Sequence, residues 1–531
     1  MAETIPSVLH AAARMFGRDE AIVGEGERMT FSELEGRAEA AARALVASGL
    51  GPGDRVAIWA PNSARWIEAS FAVYLAGCVL VPLNTRYKGE EAGHVLRTSQ
   101  ARMLLTVTDF LGSDYLGMLE TVAGLDAVEE RIGLSGPGRD GITAWDSFVQ
   151  RGDATAGAEV ARREAAVRPD DMCDIVFTSG TTGAPKGAML THGASVGTYR
   201  AWSELVGLRR GDRYLIVYPF FHTAGLKSGI LACVLTGATI HPHPVFDVPS
   251  VMRRVADERI TMLPGPPTVF QSILEHADLA TFDLSSLRLS VTGAAVVPVE
   301  IVRRMREELT FETVVTGYGL TETTGTVSMC RHDDPPDVIA RTVGRPLPGV
   351  EVRVVDDGGI DVDPGRPGEL LVRGLNVMKG YFNNPGATAE AIDADGFLRT
   401  GDIGFVDDSG NLHITDRKKD MYIVGGFNAY PAEIEAAMLE HPGLAQVAVV
   451  GVPDARLGEV GVAFVIPRAG HDLDPGEVIE WCRARMANFK VPRHIVVVDA
   501  LPLNPSGKVM KFRLRDEFVG REAVPGPRER S

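Results

Sequence analysis

The chain has 531 residues, of which 45% are hydrophobic and 23% are charged, as in a globular protein with two or more domains. Its formal net charge of −16 disfavours nonspecific binding to nucleic acid or anionic membranes, so an anionic ligand needs local cations and backbone amides. The longest apolar stretch, residues 69–83, is too short to span a bilayer, and the five cysteines contain no CxxC pair. We therefore expect no transmembrane segment, disulfide framework or zinc site. Since residues 1–16 lack a signal-peptide pattern, the cytoplasm is the default compartment.

The first part of the chain alternates predicted helices and strands. A helix is predicted at 30–49, where Thr30 and Glu33 form a capping box before an apolar repeat, and another at 66–75. The predicted strands lie at residues 55–60, 79–81, 103–107, 214–217, 261–263 and 290–292. Residues 137–166 are expected to form a polar excursion over the surface. This alternation predicts parallel βαβ units in a large α/β body.

A loop rich in glycine and hydroxyl side chains follows the apolar run at 175–177. It reads Thr178-Ser179-Gly180-Thr181-Thr182-Gly183-Ala184-Pro185-Lys186-Gly187. Open α/β sheets bind ligands at the carboxyl ends of their strands, so a strand at 175–177 places this loop at a ligand-binding edge. Glycines let backbone amides approach phosphate oxygens, the hydroxyls donate hydrogen bonds, and Lys186 adds a cation. The spacing is not that of a Walker A motif, since Lys186 is followed by Gly187; taken alone, the loop also fits an ordinary surface turn.

Past residue 343 the pattern changes to shorter strands separated by Gly, Pro and Asp. These strands, at 351–356, 369–373 and 411–415, predict a β-rich subdomain at about 343–416. From about residue 420 a small α+β domain is expected, with strands at 421–424 and 446–452, a turn at Gly425-Gly426, and helices that begin at Pro431 and after Asp474. The predicted domains are therefore residues 1–418 and 419–531.

Four further stretches have chemistry that suits a nucleotide. They are Gly317-Tyr318-Gly319-Leu320-Thr321-Glu322, Arg399-Thr400-Gly401-Asp402, residues 416–435, and Asn504-Pro505-Ser506-Gly507-Lys508-Val509. Tyr318 offers an aromatic face for a base, and Glu322 offers a carboxylate for a magnesium ion. Asp402 provides an acceptor for ribose hydroxyls, and Lys508 provides a single cation.

With the loop at 178–187, these stretches resemble in kind and order the signatures of AMP-forming acyl-CoA synthetases. That adenylate-forming superfamily also contains beetle luciferases and peptide-synthetase adenylation domains. The resemblance implies a large amino-terminal domain of α/β sheets with a β-rich subdomain, and a small mobile α+β carboxyl-terminal domain. It also implies an acid–thiol ligase that uses ATP, Mg²⁺ and CoA.

The resemblance assigns roles residue by residue. The ATP phosphates would be enclosed by Thr178, Ser179, Gly180, Thr181, Thr182, Gly183 and Lys186. Gly293 and Ala294 would border the adenine, on which Tyr318 stacks beside Gly319. Thr321 would contact the α-phosphate, Glu322 would bind Mg²⁺, and Asp402 and Arg417 would hold the ribose. Lys508 would be the catalytic lysine that bridges the substrate carboxylate and the α-phosphate.

The resemblance also implies a second half-reaction after a domain rotation. Lys419 would be the hinge, Gly425 and Gly426 would line the CoA tunnel, and His222, Lys227 and Gly265 would lie at the acyl pocket. Within the family, four stretches resemble the bacterial CoA ligase for a bicyclic indanedione propanoate of steroid-ring degradation. They are residues 104–115, 225–231, 263–268 and 486–493.

Several functional alternatives stay open at this stage. The acid is predicted to be an alicyclic or steroid-derived propanoate or a fatty acid, with an aromatic or cyclic acid as an alternative. An enzyme that loads the acyl group onto a carrier protein is the main rival. A noncatalytic nucleotide-binding scaffold is disfavoured because it needs neither Glu322 nor Lys508. No nucleic-acid partner is expected, and the oligomeric state, with a homodimer as one option, is open.

Overall fold

The computed structural model describes residues 3–24, 26–136, 141–154, 157–178, 185–293, 297–417, 420–424, 427–454, 456–503 and 509–522. These residues form two compact units. The first comprises the described parts of 1–293, 297–352 and 372–398, and the second those of 353–371 and 399–531. This division assigns residues 399–417 to the second unit, whereas the sequence places the domain boundary at 418/419. The boundary at Lys419 stays a prediction because residues 418 and 419 lie outside the described part of the chain.

The first unit contains a seven-stranded sheet. Its strands run in the order Lys186–Thr191, Met172–Thr178, Val79–Pro82, Arg55–Trp59, Met103–Thr106, Glu130–Gly133 and Thr143–Ala144. All neighbouring pairs are parallel except Met172–Thr178 with Lys186–Thr191, which are antiparallel. The predicted parallel βαβ units are thus present, and the sheet ends in one antiparallel edge strand.

A second layer of strands in this unit consists of two four-stranded sheets. One runs in the order Arg213–Ile216, Thr239–Pro242, Glu20–Gly24 and Glu27–Thr30, and the other in the order Leu289–Thr292, Thr313–Tyr318, Ser328–Met329 and Arg345–Pro346. Met262 forms parallel bridges to both Tyr214 and Leu289, so a single residue links the two sheets. The strand predicted at 261–263 is reduced to this bridge. A short hairpin pairs Asp109–Phe110 with Ser113–Asp114.

Both units contain helices as well as sheets. The α-helices are Ile5–Phe16, Phe31–Ala47, Ala64–Leu75, Gly89–Ser99, Tyr115–Glu120, Trp145–Gln150, Gly157–Ala166, His192–Val206, Ala232–Thr236, Val248–Glu258, Pro267–Leu274, Val299–Glu308, Pro336–Arg341, Pro385–Ala391, Pro431–Met438, Pro475–Arg483 and Lys511–Glu522. Short 3₁₀ turns lie at Arg151–Ala154, Leu279–Thr281 and Thr321–Thr323, and Ala224–Leu231 is a π-helix. None of the described helices combines the length and the apolar character that crossing a membrane requires.

The capping box predicted from Thr30 and Glu33 is confirmed. The Thr30 hydroxyl accepts a hydrogen bond from the Glu33 amide, and the Glu33 carboxylate accepts one from the Thr30 amide at 2.8 Å. Small buried residues such as Ala38 and Ala41 then let helix Phe31–Ala47 pack closely on helix Ala64–Leu75. The start of this helix is therefore fixed by local hydrogen bonds, and its buried face by the apolar repeat.

The expectation of a polar surface excursion at 137–166 is wrong for much of that segment. Its described part contains a short strand and two α-helices, and Trp145 and Phe148 are buried in the large core of the first unit. The two aromatic residues are three positions apart and therefore share one face of helix Trp145–Gln150. Burial of these rings outweighs the polar composition around them.

The β-rich stretch forms a four-stranded sheet in the order Val350–Val355, Gly368–Gly374, Leu398–Val406 and Leu412–Arg417. Farther along the chain, a five-stranded sheet runs in the order Phe427–Ala429, Tyr422–Val424, Gly458–Pro467 and Leu444–Asp454, with His494–Val497 also paired to Gly458–Pro467. Strands Leu444–Asp454 and Gly458–Pro467 form a long hairpin. Its alternate residues belong to two separate apolar clusters, one around Tyr422 and Val449 and one around Val450 and Phe464. The α/β fold class predicted from the sequence is confirmed.

Candidate active site

The glycine-rich loop is flanked by two paired residues at one end of the seven-stranded sheet. Thr178 ends a parallel strand and lies opposite Lys186, which begins the antiparallel edge strand. The Thr178 hydroxyl donates a hydrogen bond of 3.4 Å to the Lys186 carbonyl, and the Lys186 side chain is exposed. The flanks of the predicted phosphate loop therefore lie at the carboxyl end of a buried strand, the edge at which such sheets bind ligands.

Two other candidates meet at the carboxyl ends of neighbouring parallel strands. Thr292 pairs with Thr316, so Gly293 follows beside Gly317, the residue before Tyr318. Gly293 has a φ of +151°, and a Cβ there would lie 3.6 Å from the Gly317 carbonyl oxygen. Gly293, which has no side chain, and the half-buried Tyr318 thus lie at the ends of two neighbouring strands, as a site for a flat base requires.

A tight turn after Tyr318 orients Thr321 and Glu322. The Leu320 amide donates to the Thr323 hydroxyl at 2.9 Å, and the Gly325 amide donates to the Leu320 carbonyl at 2.8 Å. A Cβ at Gly319 would lie only 2.3 Å from the Gly325 carbonyl oxygen, so the turn closes only around glycine. Both Thr321 and Glu322 are left half-buried.

Glu322 and Lys186 converge on Tyr381. The Tyr381 hydroxyl donates a 2.8 Å hydrogen bond to Glu322 Oε1, and Lys186 Nζ lies 5.2 Å from the centre of the Tyr381 ring. Burial, with the Glu322 carboxylate as a second cause, raises the pKa of the Tyr381 hydroxyl, which therefore keeps its proton and remains a donor. Tyr381 was missed from the sequence because its contacts depend on long-range pairing.

The surroundings of Glu322 would suit a magnesium ion. Mg²⁺ is commonly held in proteins by one or two carboxylates together with substrate phosphates and water. Tyr381 engages Oε1, and none of the described residues hydrogen-bonds to Oε2. The donor set therefore fits the predicted metal, with one carboxylate oxygen oriented and the other available.

The acyl-pocket candidates lie in the same unit. His222 is exposed, and its Nδ1 accepts a 3.1 Å hydrogen bond from the Ala224 amide at the start of the π-helix. Gly265 is buried, and its amide donates to Val291 of the strand that ends before Gly293. A Cβ at Gly325 would lie 2.9 Å from the Thr223 hydroxyl, so the segment after His222 packs against the turn that carries Glu322.

Lys227, the third acyl-pocket candidate, is in the core. Its Nζ lies 2.5 Å from Asp174 Oδ2, and both side chains are buried. Tyr74 donates a 2.6 Å hydrogen bond to the other oxygen of Asp174. The ammonium thus already has a carboxylate partner within the chain, and a role of Lys227 toward substrate stays a prediction.

The described site residues of the second unit are Asp402 and Arg417. They lie directly opposite each other on antiparallel strands, and Asp402 is buried, with its amide bonded to the Thr400 hydroxyl at 3.0 Å. The remaining predicted site residues lie outside the described part of the chain: Ser179, Gly180, Thr181, Thr182, Gly183, Ala294, Lys419, Gly425, Gly426 and Lys508.

Two models of known protein families match this chain. The model of the AMP-binding enzyme family matches residues 9–382, and that of the AMP-binding enzyme C-terminal domain matches residues 433–508. The chain belongs to the AMP-binding enzymes. As a member, it is an ATP-dependent acid–thiol ligase whose substrates are a carboxylic acid, ATP and CoA. The family resemblance inferred from the five motifs is confirmed.

Individual relatives of this AMP-binding enzyme cover almost its full length. A 7a-methyl-1,5-dioxo-octahydro-1H-inden-4-yl propanoyl:CoA ligase from Rhodococcus jostii is 48% identical over 97% of this chain and 98% of its own. A feruloyl-CoA synthase from Amycolatopsis is 39% identical over 95% and 97%. The crystal structure of ATP-bound MatB from Rhodopseudomonas palustris, 30% identical, superposes with a TM-score of 0.86 over 97% of this chain and 99% of that one.

Proposed function

We propose that this ligase activates a bulky alicyclic propanoate of the bicyclic, steroid-derived kind. The 48% identity to the indenyl propanoyl:CoA ligase over nearly both full chains is the observation that carries this proposal. The carboxylate would attack the α-phosphorus of ATP to give an acyl-adenylate and pyrophosphate, and the CoA thiol would then displace AMP to give the thioester. The close packing of Thr223 on Gly325 supports a pocket that brings the acid to the nucleotide turn.

The first step brings two anions together, so we assign the main catalytic contribution to fixed cations and amides. Lys186 and the loop before it would hold the β- and γ-phosphates, and Thr321 would contact the α-phosphate. Lys508 would bridge the carboxylate and the α-phosphate while charge shifts to the leaving pyrophosphate. Groups positioned before the reaction contribute most where charge develops, because they need no reorganisation.

Glu322 is assigned to a bound magnesium ion. The ion would neutralise phosphate charge, and Glu322 would hold it through the carboxylate oxygen that Tyr381 leaves available. The 2.8 Å bond from Tyr381 supports this role, because a hydrogen bond donated to a metal ligand fixes that ligand's orientation.

The remaining candidates are assigned to the adenine and the ribose of the nucleotide. Tyr318 and Gly293, with Ala294 and Gly319, would bind the adenine, and Asp402 with Arg417 would bind the ribose. The register that places Gly293 beside Gly317, the residue before Tyr318, supports the first assignment, and the register of Asp402 with Arg417 supports the second.

For the second step we assign a mobile domain at 419–531 with its hinge at Lys419. Rotation would withdraw Lys508 and bring Gly425 and Gly426 to the acyl-adenylate, where glycine leaves space for the pantetheine arm of CoA. The two apolar clusters within 420–522 support this assignment, since a segment with its own core can move as a body. A homodimer and a cytoplasmic location are further proposals; five buried free cysteines support a reducing compartment.

A panel of acids compared by kcat/KM tests the substrate class. The panel contains a bicyclic indanedione propanoate, cyclohexane propanoate, ferulate, octanoate and palmitate, each with ATP and CoA. We expect the bicyclic propanoate to lead by at least about tenfold, since shape discrimination by an apolar pocket is worth about 1–3 kcal/mol. A clear preference for palmitate or ferulate overturns the proposed substrate but leaves the ligase activity intact. Replacing CoA with a phosphopantetheinylated carrier protein in the same assay tests the carrier-loading alternative.

A further inference from the structure

We propose that Tyr381 is a positioning residue for the ATP-dependent half-reaction, which orients the Glu322 carboxylate with its hydroxyl and the Lys186 ammonium with its ring. This inference rests on the proposed roles of Glu322 and Lys186 toward Mg²⁺ and phosphate. It adds a residue outside the five motifs that predicted the site.

The backbone fixes Tyr381 beside the strand that carries Lys186. The Lys379 amide donates to the Met189 carbonyl at 3.0 Å, the Met189 amide to the Gly380 carbonyl at 2.9 Å, and the Phe382 amide to the Gly187 carbonyl at 2.8 Å. Residues 379–382 therefore extend the sheet by a short antiparallel segment, in which Tyr381 is bridged to Ala188. The ring position relative to Lys186 is consequently set by main-chain hydrogen bonds.

The other side of this segment is fixed by helix Pro385–Ala391. The Tyr381 amide donates to the Thr388 hydroxyl at 2.9 Å. Gly380 has a φ of +136°, and a Cβ there would lie 2.6 Å from Thr388 Cγ2. Only glycine fits this close approach without displacing Thr388, so Gly380 and Thr388 together determine where the tyrosine side chain begins.

Glu322 is held through its main chain by Met378, the residue before this segment, and through its side chain by Tyr381. Its carbonyl accepts a 2.8 Å hydrogen bond from the Met378 amide, and its Oε1 accepts one of the same length from the Tyr381 hydroxyl. A carboxylate with one oxygen fixed in this way loses rotational freedom before any ion arrives. Such preorganisation reduces the entropy cost of binding a metal that demands strict geometry.

The ring provides a second and separable interaction. Lys186 Nζ lies 5.2 Å from its centre, within the range of cation–π attraction. Tyr381→Phe removes the hydroxyl and keeps the ring, whereas Tyr381→Leu removes both. The two substitutions therefore separate the effect on Glu322 from the effect on Lys186.

The test measures the Kd of ATP by isothermal titration calorimetry, with excess Mg²⁺ and separately with EDTA, on the full chain. We expect Tyr381→Phe to weaken Mg·ATP binding about tenfold, as for other donors to metal ligands, and to leave metal-free ATP binding unchanged. Tyr381→Leu should weaken both. Tyr87→Phe, which removes the hydroxyl of a half-buried tyrosine from the described region outside the site, is the matched control and should change neither Kd.

A double-mutant cycle decides whether the hydroxyl acts through Glu322. If it does, Glu322→Gln combined with Tyr381→Phe should bind Mg·ATP no more weakly than Glu322→Gln alone. The proposal is overturned if the losses of Mg·ATP affinity caused by Glu322→Gln and by Tyr381→Phe multiply in the double variant. It is also overturned if Tyr381→Phe leaves the Kd of Mg·ATP unchanged, or if it weakens ATP binding equally with and without Mg²⁺. If Glu322→Gln itself leaves the Mg²⁺ dependence intact, the proposed metal role of Glu322 fails first, and the Tyr381 inference fails with it.

Melting temperatures measured without ligand show whether each variant is folded.

Thr388→Val tests the positioning of Tyr381 by a second route. That substitution removes the hydroxyl that holds the Tyr381 amide, without contacting Glu322 or Lys186. A smaller loss of Mg·ATP affinity in the same direction is expected. Unchanged Mg·ATP affinity in a folded Thr388→Val protein contradicts the proposed positioning of Tyr381.

Discussion

Lys227 and Asp174 form a buried ion pair, with 2.5 Å between Nζ and Oδ2 and exposures of 1% and 0% for the two side chains. Asp174 belongs to the strand that ends at Thr178, and Lys227 belongs to the π-helix that follows His222. The pair therefore connects the strand before the phosphate loop to the helix predicted to line the acyl pocket. π-Helices are rare and often found at functional sites, and this one carries a buried lysine.

Breaking this pair is expected to destabilise the first unit strongly. Lys227→Met leaves the Asp174 carboxylate buried without its cation, and loss of one member of a buried pair costs about 3–5 kcal/mol. Urea unfolding followed by tryptophan fluorescence measures the effect, because four of the five tryptophans lie in the first unit.

The double variant Lys227→Met with Asp174→Leu is the control for this prediction. Removing both charges replaces the pair with apolar groups, which is often close to neutral in stability. The double variant should therefore recover part of the lost stability, and adding Tyr74→Phe, which removes the buried hydroxyl that Asp174→Leu leaves without an acceptor, should recover most of it. A single variant as stable as the wild type would show that the pair contributes little.

Stability should also depend on pH through His10. Its Nε2 lies 2.6 Å from Glu164 Oε1 and its Nδ1 lies 2.6 Å from Glu35 Oε1, with Glu39 also nearby. The hydrogen bond to Glu164, with that to Glu35 and the two negative charges, outweighs desolvation and raises the pKa of His10 to about 9. Because the unfolded value is about 6.5, the stabilisation is complete below pH 6.5 and is lost as the pH rises to about 9.

The expected loss is about 1–2 kcal/mol across that window, after allowance for solvent screening of a partly exposed group. The free energy of unfolding measured in urea at pH 6, 7, 8 and 9 should fall in the wild type. In His10→Gln the same series should be flatter. Equal slopes in the two proteins would assign the pH dependence to other groups.

Local patterns predicted the elements of the fold well, and the failures follow from long-range contacts. The capping box of Thr30 and Glu33 is complete within four residues, so the sequence contains all of its information. Tyr381 reaches Glu322 and Lys186 only because residues 379–382 pair with the strand Lys186–Thr191. The sequence Gly380-Tyr381 does not indicate that this strand is its partner. The sequence places Asp174 within an apolar strand and Lys227 within an apolar helix. Because buried charges are normally paired, these two residues could have been predicted to pair with each other.

Gly319→Ala is expected to reduce adenylation without unfolding the protein. The added Cβ would lie 2.3 Å from the Gly325 carbonyl oxygen, so the turn must shift and displace Thr321 and Glu322. A displacement of about 1 Å at a reacting centre can cost about 100-fold in rate, and kcat/KM for ATP in pyrophosphate release measures it. Gly36→Ala, at an exposed helical site with open space for a Cβ, is the control and should leave activity unchanged.

The two half-reactions should respond separately to Lys508 and Lys419. Lys508→Ala removes charge stabilisation during adenylation, so pyrophosphate release from ATP and acid should fall by about 100-fold or more. Thioester formation from synthetic acyl-AMP and CoA should persist, because the bond to the α-phosphate is already made.

Lys419→Pro fixes φ at the predicted hinge and also constrains Lys418, so it should hinder rotation. Adenylation should then continue while transfer to CoA fails, and equal damage to both steps in two folded variants would contradict a reaction divided between two domain positions.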